Sequence, residues 1–179
     1  MKHGVQNWEE VSREEVFKKF GRGVEKRIYR LPSGQEEEFY LKTGYSSICC
    51  LALTKDNQVI LVRQFRPGPG KILLEMPGGG INPDETKEVA MARELLEETG
   101  YQGNIQFVTE LLPDAYSTYT KSFLVATNCE KIAEPQLEDN GEELEAVLMS
   151  LDEFRNHIRT GQMTDVEGAY LCLDYLKLL

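Results

Sequence analysis

Residues Gly78–Tyr101 read GGGINPDETKEVAMARELLEETGY, and their spacing predicts a helix that Thr86 caps and Gly100 ends. At about 100° per residue, Val89, Met91, Ala92, Leu95 and Leu96 fall on one half of that helix, and Arg93, Glu94, Glu97 and Glu98 on the other. The apolar half is expected to anchor the helix and the acidic half to face a site. Like charges three or four residues apart repel by ~0.2–0.5 kcal/mol per pair, so Glu94 against Glu97 and Glu98, with Glu85 just upstream, is an unfavourable arrangement in isolation. A hard divalent cation reverses that sign, because it takes carboxylate oxygens together with substrate phosphates. Most acidic helix faces are simply solvated, so the spacing has to decide between the two readings.

Gly79, five residues, Glu85, seven residues, Arg93-Glu94-Leu95, one residue, Glu97-Glu98, one residue, Gly100 and Tyr101 form a pattern that resembles the signature of the Nudix hydrolases. Tyr101 stands where that pattern usually has an aliphatic residue, and its ring can fill the same apolar role. The signature covers 23 of 179 residues, and a looser resemblance runs from about residue 46 to the C-terminus. It implies an α/β fold, an α/β/α sandwich with a mixed sheet, and hydrolysis of a pyrophosphate bond in a nucleoside diphosphate linked to a second group. It implies Mg²⁺, with Mn²⁺ as the alternative, held by Glu94, Glu97, Glu98 and the carbonyl of Gly78. Arg93 would not touch substrate but would form an orienting ion pair with Glu85.

The runs Gln64-Phe65-Arg66-Pro67 and Leu74-Glu75-Met76-Pro77-Gly78-Gly79 resemble the ADP-ribose and nucleoside-diphosphate-sugar branch of the family. By that resemblance Arg66 binds the pyrophosphate and Glu75 helps to hold metal or substrate; the competing reading of Arg66 is a surface cation in a Gly/Pro loop. A P-loop is excluded, since Phe65 and Ile72 stand where it needs glycine and a hydroxyl residue. Pro113-Asp114-Ala115 departs from the Ser-Pro-Gly-like run of ADP-ribose enzymes, which leaves other nucleoside diphosphate sugars open. In the acidic stretch EPQLEDNGEELE, residues 134–145, the family pattern makes Glu142 the general base, with Glu143 as the alternative. Other substrates in view are nucleoside triphosphates and dinucleoside polyphosphates. A nucleotide-binding regulator without catalysis is the reading from a different class, and the intact acids argue against it.

The chain has 179 residues, enough for one domain with a full core and a small N-terminal addition. The expected division is 1–45, a helix and hairpin that join a homodimer, and 46–179, the hydrolase domain. A net charge of −10 argues against nucleic acid or an anionic membrane as partner; a small nucleoside diphosphate sugar is the ligand that the resemblance implies. Cys49, Cys50, Cys129 and Cys172 form no Cys-x-x-Cys pair and read as buried thiols of a cytoplasmic protein. The opening MKHGVQNWEE lacks the apolar core of a signal peptide.

In chain order, Ser12-Arg13-Glu14-Glu15 reads as a capping box that opens a short helix through Phe20. A hairpin follows, 25–31 and 36–42 around Pro32-Ser33-Gly34. Strands are expected at 46–54, 58–64, 104–112, 121–128 and 144–151, with 65–71 a loop and 113–118 a turn-rich loop facing the site. Capping boxes at Ser150 and Thr164 begin two C-terminal helices.

Overall fold

The computed structural model describes residues 4–136 and 143–179. The chain forms two compact units, one of Met1–Tyr45 with Leu112–Thr120, the other of Ser46–Leu111 with Lys121–Leu179.

The first unit is a three-stranded antiparallel sheet of β1 (Glu9–Lys19), β2 (Arg22–Arg30) and β3 (Glu36–Thr43). The hairpin of β2 and β3 is as expected, but the helix expected from Ser12 is a strand. Lys19 pairs with Arg22, so the connection is the two residues Phe20 and Gly21, both in the left-handed region at φ 49° and 71°. That is the mirror-image turn whose twist suits a hairpin. It returns β1 directly onto β2, where the backbone groups that face β2 gain ladder partners, whereas a short isolated helix bears its nucleation cost without an apolar face to dock. Glu14, read within the capping box, lies opposite Lys26 across the strands, and outside the box Glu9 pairs with Arg30 at 2.7 Å. The 112–120 segment belongs to this unit because Lys42 of β3 donates its amide to Tyr116 O at 2.8 Å and accepts from Thr118 N at 3.0 Å.

The second unit holds a mixed sheet of seven strands: β4 (Ser47–Thr54), β5 (Val59–Arg66), β6 (Lys71–Glu75), β7 (Gly78–Gly80), β8 (Tyr101–Leu111), β9 (Lys121–Lys131) and β10 (Leu144–Met149). Its order is β10-β5-β4-β9-β8, with β6 on β5 and β7 on β4, and only β4 and β9 run parallel among the described pairs. Of the loop expected at 65–71, residues 67–70 form a turn, closed by Gly70 at φ 64°, whose amide donates to Arg66 O, while Phe65 and Arg66 end β5 and Lys71 begins β6.

Side chains of a strand alternate between faces, and here both faces are apolar. Ile48, Cys50, Ala52, Ile60, Leu124 and Ala126 pack with Ala90, Met91 and Leu95 of helix α1 (Lys87–Thr99). Their neighbours Cys49, Leu51, Leu53, Leu61, Phe123 and Val125 pack with α2 (Leu151–Arg159) and α3 (Val166–Tyr175). The continuous apolar runs of β4, β5 and β9 are therefore the signature of a sheet covered on both sides, an α/β/α sandwich. All four cysteines are buried and free. No helix among the described residues is long and apolar enough to cross a membrane.

Ser150 makes its capping box, accepting from Glu153 N and receiving the Glu153 carboxylate on its own amide. Thr164 does not: Asp165 is the cap of α3, at φ 62° and without a side-chain cap bond, and the Thr164 hydroxyl is directed elsewhere. Where α3 crosses β9, Gly168 leaves no room for a side chain, since a Cβ there would lie 1.8 Å from Phe123 Cε1. Gly168→Ala should therefore destabilise the fold by about 1–3 kcal/mol, despite the better helix propensity of alanine. Urea unfolding measures it, and an unchanged or raised midpoint would show that the ring has space to yield.

Candidate active site

Helix α1 has the ends that its sequence specifies. The Thr86 hydroxyl accepts from Val89 N at 3.3 Å, and Gly100, at φ 74°, donates its amide to Leu96 O at 2.8 Å. Its rotation differs from the expected one. Ala90, Met91, Leu95 and Thr99 are buried, whereas Val89 is 56% exposed, Ala92 is exposed and Leu96 is only half-buried. The inward stripe is Met91, Leu95 and Thr99 at intervals of four, flanked by Ala90, because the helix contacts β7 with its Glu94 edge as well as the sheet with its apolar edge.

Arg93 organises the acids. Its Nε and Nη2 fork onto Glu85 Oε1 and Oε2 at 2.8 and 3.0 Å, Nη1 reaches Glu94 Oε1 at 2.8 Å and Glu97 Oε2 at 3.0 Å, and Nη2 also donates to Gly80 O at 3.1 Å. Five acceptors thus match the five N–H groups of a guanidinium. Glu85 is also tied to the loop before the helix, where Asn82 N donates to its Oε2 at 3.0 Å. The fork from Arg93, helped by the Asn82 amide, holds the Glu85 carboxyl down at about 2. The Arg93 pKa is raised in return, chiefly by Glu85. Glu94 shifts the other way: burial raises its pKa, although Arg93 works against the shift.

The glycines of β7 let these acids lie against the backbone. A Cβ on Gly79 would stand 2.4 Å from Glu94 Cδ, and one on Gly78 would stand 2.2 Å from Ile48 O. Gly78 N donates to Glu98 Oε2 at 2.8 Å. Glu94, Glu97 and Glu98 therefore share one arc with Arg93, beside a strand that only glycine permits. This all-oxygen donor set, on a cradle that a Cβ would fill, fits a hard cation. Among the described residues no three Asp, Glu, His or Cys groups are drawn together as a cage, and the positive charge amid the acids is that of Arg93.

A second cluster joins Arg66, Glu75 and Thr164. Glu75 is only 2% exposed and accepts from Arg66 Nε at 2.5 Å. Thr164 was legible only as a helix cap, and nothing local in the sequence connects it to a residue 89 positions away. Glu142 lies outside the described residues; Glu143, where the description resumes, is exposed.

The depressed Glu85 pKa gives the Arg93 pair a defined pH dependence. A carboxylate held at about 2 against an ordinary 4.5 contributes its full stability above 4.5 and loses it as pH falls toward 2. Wild type and Glu85→Gln should differ in denaturation midpoint at pH 7, and the difference should close across that window. A gap that persists below it would mean that the pair is not what separates the two proteins.

The NUDIX domain family matches residues 45–166. Along nearly its whole length the chain is similar to a methanol dehydrogenase activator of Bacillus methanolicus, 26% identical over 94% of this chain and 91% of that one. It is similarly related to an ADP-ribose pyrophosphatase of Bacillus subtilis, 23% identical over 94% of this chain and 91% of the relative. Among solved structures, an ADP compounds hydrolase superposes with a TM-score of 0.84 over 97% of this chain and 96% of its own, at 22% identity, a likeness of fold. With the match spanning most of the chain and the Arg93-centred acids standing within it, the chain belongs to the NUDIX domain family.

Proposed function

We propose that this Nudix enzyme hydrolyses the pyrophosphate bond of a nucleoside diphosphate sugar such as ADP-ribose, releasing a nucleoside monophosphate and a sugar phosphate. The observation that carries the reading is the arc of Glu94, Glu97 and Glu98 beside the Gly78–Gly80 strand, Glu94 and Glu97 held by Arg93 and Glu98 by the Gly78 amide. The full-length likeness to an ADP-ribose pyrophosphatase supports the choice of substrate.

Nudix hydrolases generally need a divalent metal ion, and Mg²⁺ suits these oxygen donors, with Mn²⁺ the alternative. Glu94, Glu97, Glu98 and the Gly78 carbonyl are the groups that would hold it. When bound, such an ion neutralises charge on the phosphate oxygens and lowers the pKa of water. Arg93 and Glu85 hold the acids in place and stay off the substrate. Arg66 would take the pyrophosphate with its outer nitrogens, which have no partner among the described residues. Glu142, from the acidic segment before β10, would remove the proton of the attacking water, with Glu143 the competing base.

The exposed Val11, Val16 and Phe17 of β1 support pairing of two chains into a homodimer through the N-terminal sheet. Four buried, unpaired thiols support a cytoplasmic setting.

Phosphate release from ADP-ribose, ADP-glucose, GDP-mannose and nucleoside triphosphates, each with Mg²⁺, tests the substrate class. Turnover confined to triphosphates would reject it. Glu98→Gln keeps the shape and removes the charge, so turnover should fall by about two orders of magnitude or more while thermal stability holds or rises. Binding of Mn²⁺ followed by paramagnetic relaxation should weaken in parallel, and near-normal binding and turnover would remove Glu98 from the metal site. Glu142→Gln should lower kcat by about 10²–10⁴ and leave Mn²⁺ binding intact. If Glu142→Gln keeps the acidic limb of its pH profile and Glu143→Gln loses it, the base is Glu143.

A further inference from the structure

Glu75 is a buried carboxylate whose two oxygens face different partners. Oε2 accepts from Arg66 Nε at 2.5 Å, while Oε1 accepts from Thr164 twice, from the backbone N–H at 3.2 Å and from the hydroxyl. The strand register makes the Arg66 contact a deliberate reach. Across the β5–β6 hairpin Glu75 lies opposite Val62, and Arg66 lies opposite Lys71, four residues farther along. Arg66 and Val62 share a face of the strand, so the Arg66 side chain runs back along the hairpin to meet the carboxylate.

We propose that Thr164 is a positioning residue for the pyrophosphate-binding guanidinium of Arg66, acting through Glu75. The inference rests on the reading of Arg66 as the pyrophosphate clamp and extends it to a residue that touches neither substrate nor Arg66. A carboxylate held at one oxygen by a single arginine can rotate and carry that arginine with it. Two donors from Thr164 fix the carboxylate plane, and with Nε engaged the two outer nitrogens of Arg66 are presented together, the fork that phosphate oxygens accept. The Thr164 donors occupy Oε1, so Glu75 holds Arg66 through Oε2 alone. Thr164 can serve because the next residue, Asp165, adopts φ 62° and engages Lys121 of β9, so the chain turns into α3 with Thr164 facing the hairpin.

The test is steady-state kinetics of ADP-ribose hydrolysis by the purified enzyme, with Thr164→Val, Thr164→Ser, Arg66→Ala and the Thr164→Val/Arg66→Ala double variant. Thr164 is exposed, so the valine should be tolerated; Thr164→Ala replaces it if the melting temperature falls. Arg66→Ala should raise KM about tenfold. Thr164→Val should raise KM about three- to tenfold with kcat within about twofold, Thr164→Ser should restore KM, and Thr164→Val should add less than about twofold on the Arg66→Ala background. An unchanged KM in Thr164→Val beside a raised KM in Arg66→Ala overturns the inference and leaves the clamp standing. An equal effect of Thr164→Val with and without Arg66 also overturns it, since Thr164 would then act elsewhere. An unchanged KM in Arg66→Ala removes the clamp, and the inference with it.

Discussion

One guanidinium makes the acidic helix tenable. Without Arg93, the carboxylates of Glu85, Glu94 and Glu97 would crowd one side of α1 with no other cation among the described residues paired to them; with it, each accepts a charge-assisted hydrogen bond. The Gly80 carbonyl takes the remaining donor direction, so the helix is located relative to β7 as well as to its own acids. A lysine could neutralise one carboxylate but could not span a fork, a turn of helix and a neighbouring strand together. Electrostatic repair and geometric placement are thus the same interaction for Glu94, while Glu98 is tied to β7 by the Gly78 amide.

The sheet supplies the rigidity that this arrangement needs. Because β4 alternates Ile48, Cys50 and Ala52 toward α1 with Cys49, Leu51 and Leu53 toward α2 and α3, a single strand belongs to two cores. A one-residue slip would exchange every side chain between them. β7 is paired to the outer part of that same strand, Ser47 to Gly80 and Cys49 to Gly78, so the glycine cradle inherits the register that the cores enforce.

The parts of the fold that the sequence discloses are those set by local chemistry. Thr86 and Gly100 mark a helix because caps are chosen within a few residues, and the apolar runs of β4, β5 and β9 announce burial on both faces. The candidate site was equally legible where it is periodic, since Glu94, Glu97 and Glu98 recur at helical intervals. What stayed hidden depends on partners distant in the chain. β1 carries a helix-cap motif, but its state is decided by β2 and by a turn that puts Phe20, an unpromising residue, at φ 49°. The inward face of α1 is rotated because β7 takes the Glu94 edge. β6 was masked by the Gly/Pro turn before it, and the contact of Thr164 with Glu75 leaves no trace in either neighbourhood.

The segment 112–120 gives the chain an order that resists modular division. It lies between β8 and β9, two paired strands of the larger unit, yet its backbone is bonded to Lys42 of β3. The polypeptide therefore enters the N-terminal unit twice, and the second visit is an excursion from the middle of the hydrolase domain. A chain cut after residue 45 would not be the larger unit alone, because it would keep a nine-residue excursion, Leu112–Thr120, stripped of the strand that satisfies it. For the same reason, exchange of N-terminal sheets between relatives has two junctions to respect, and the one at 112–120 is set by strand pairing that no terminal boundary reveals.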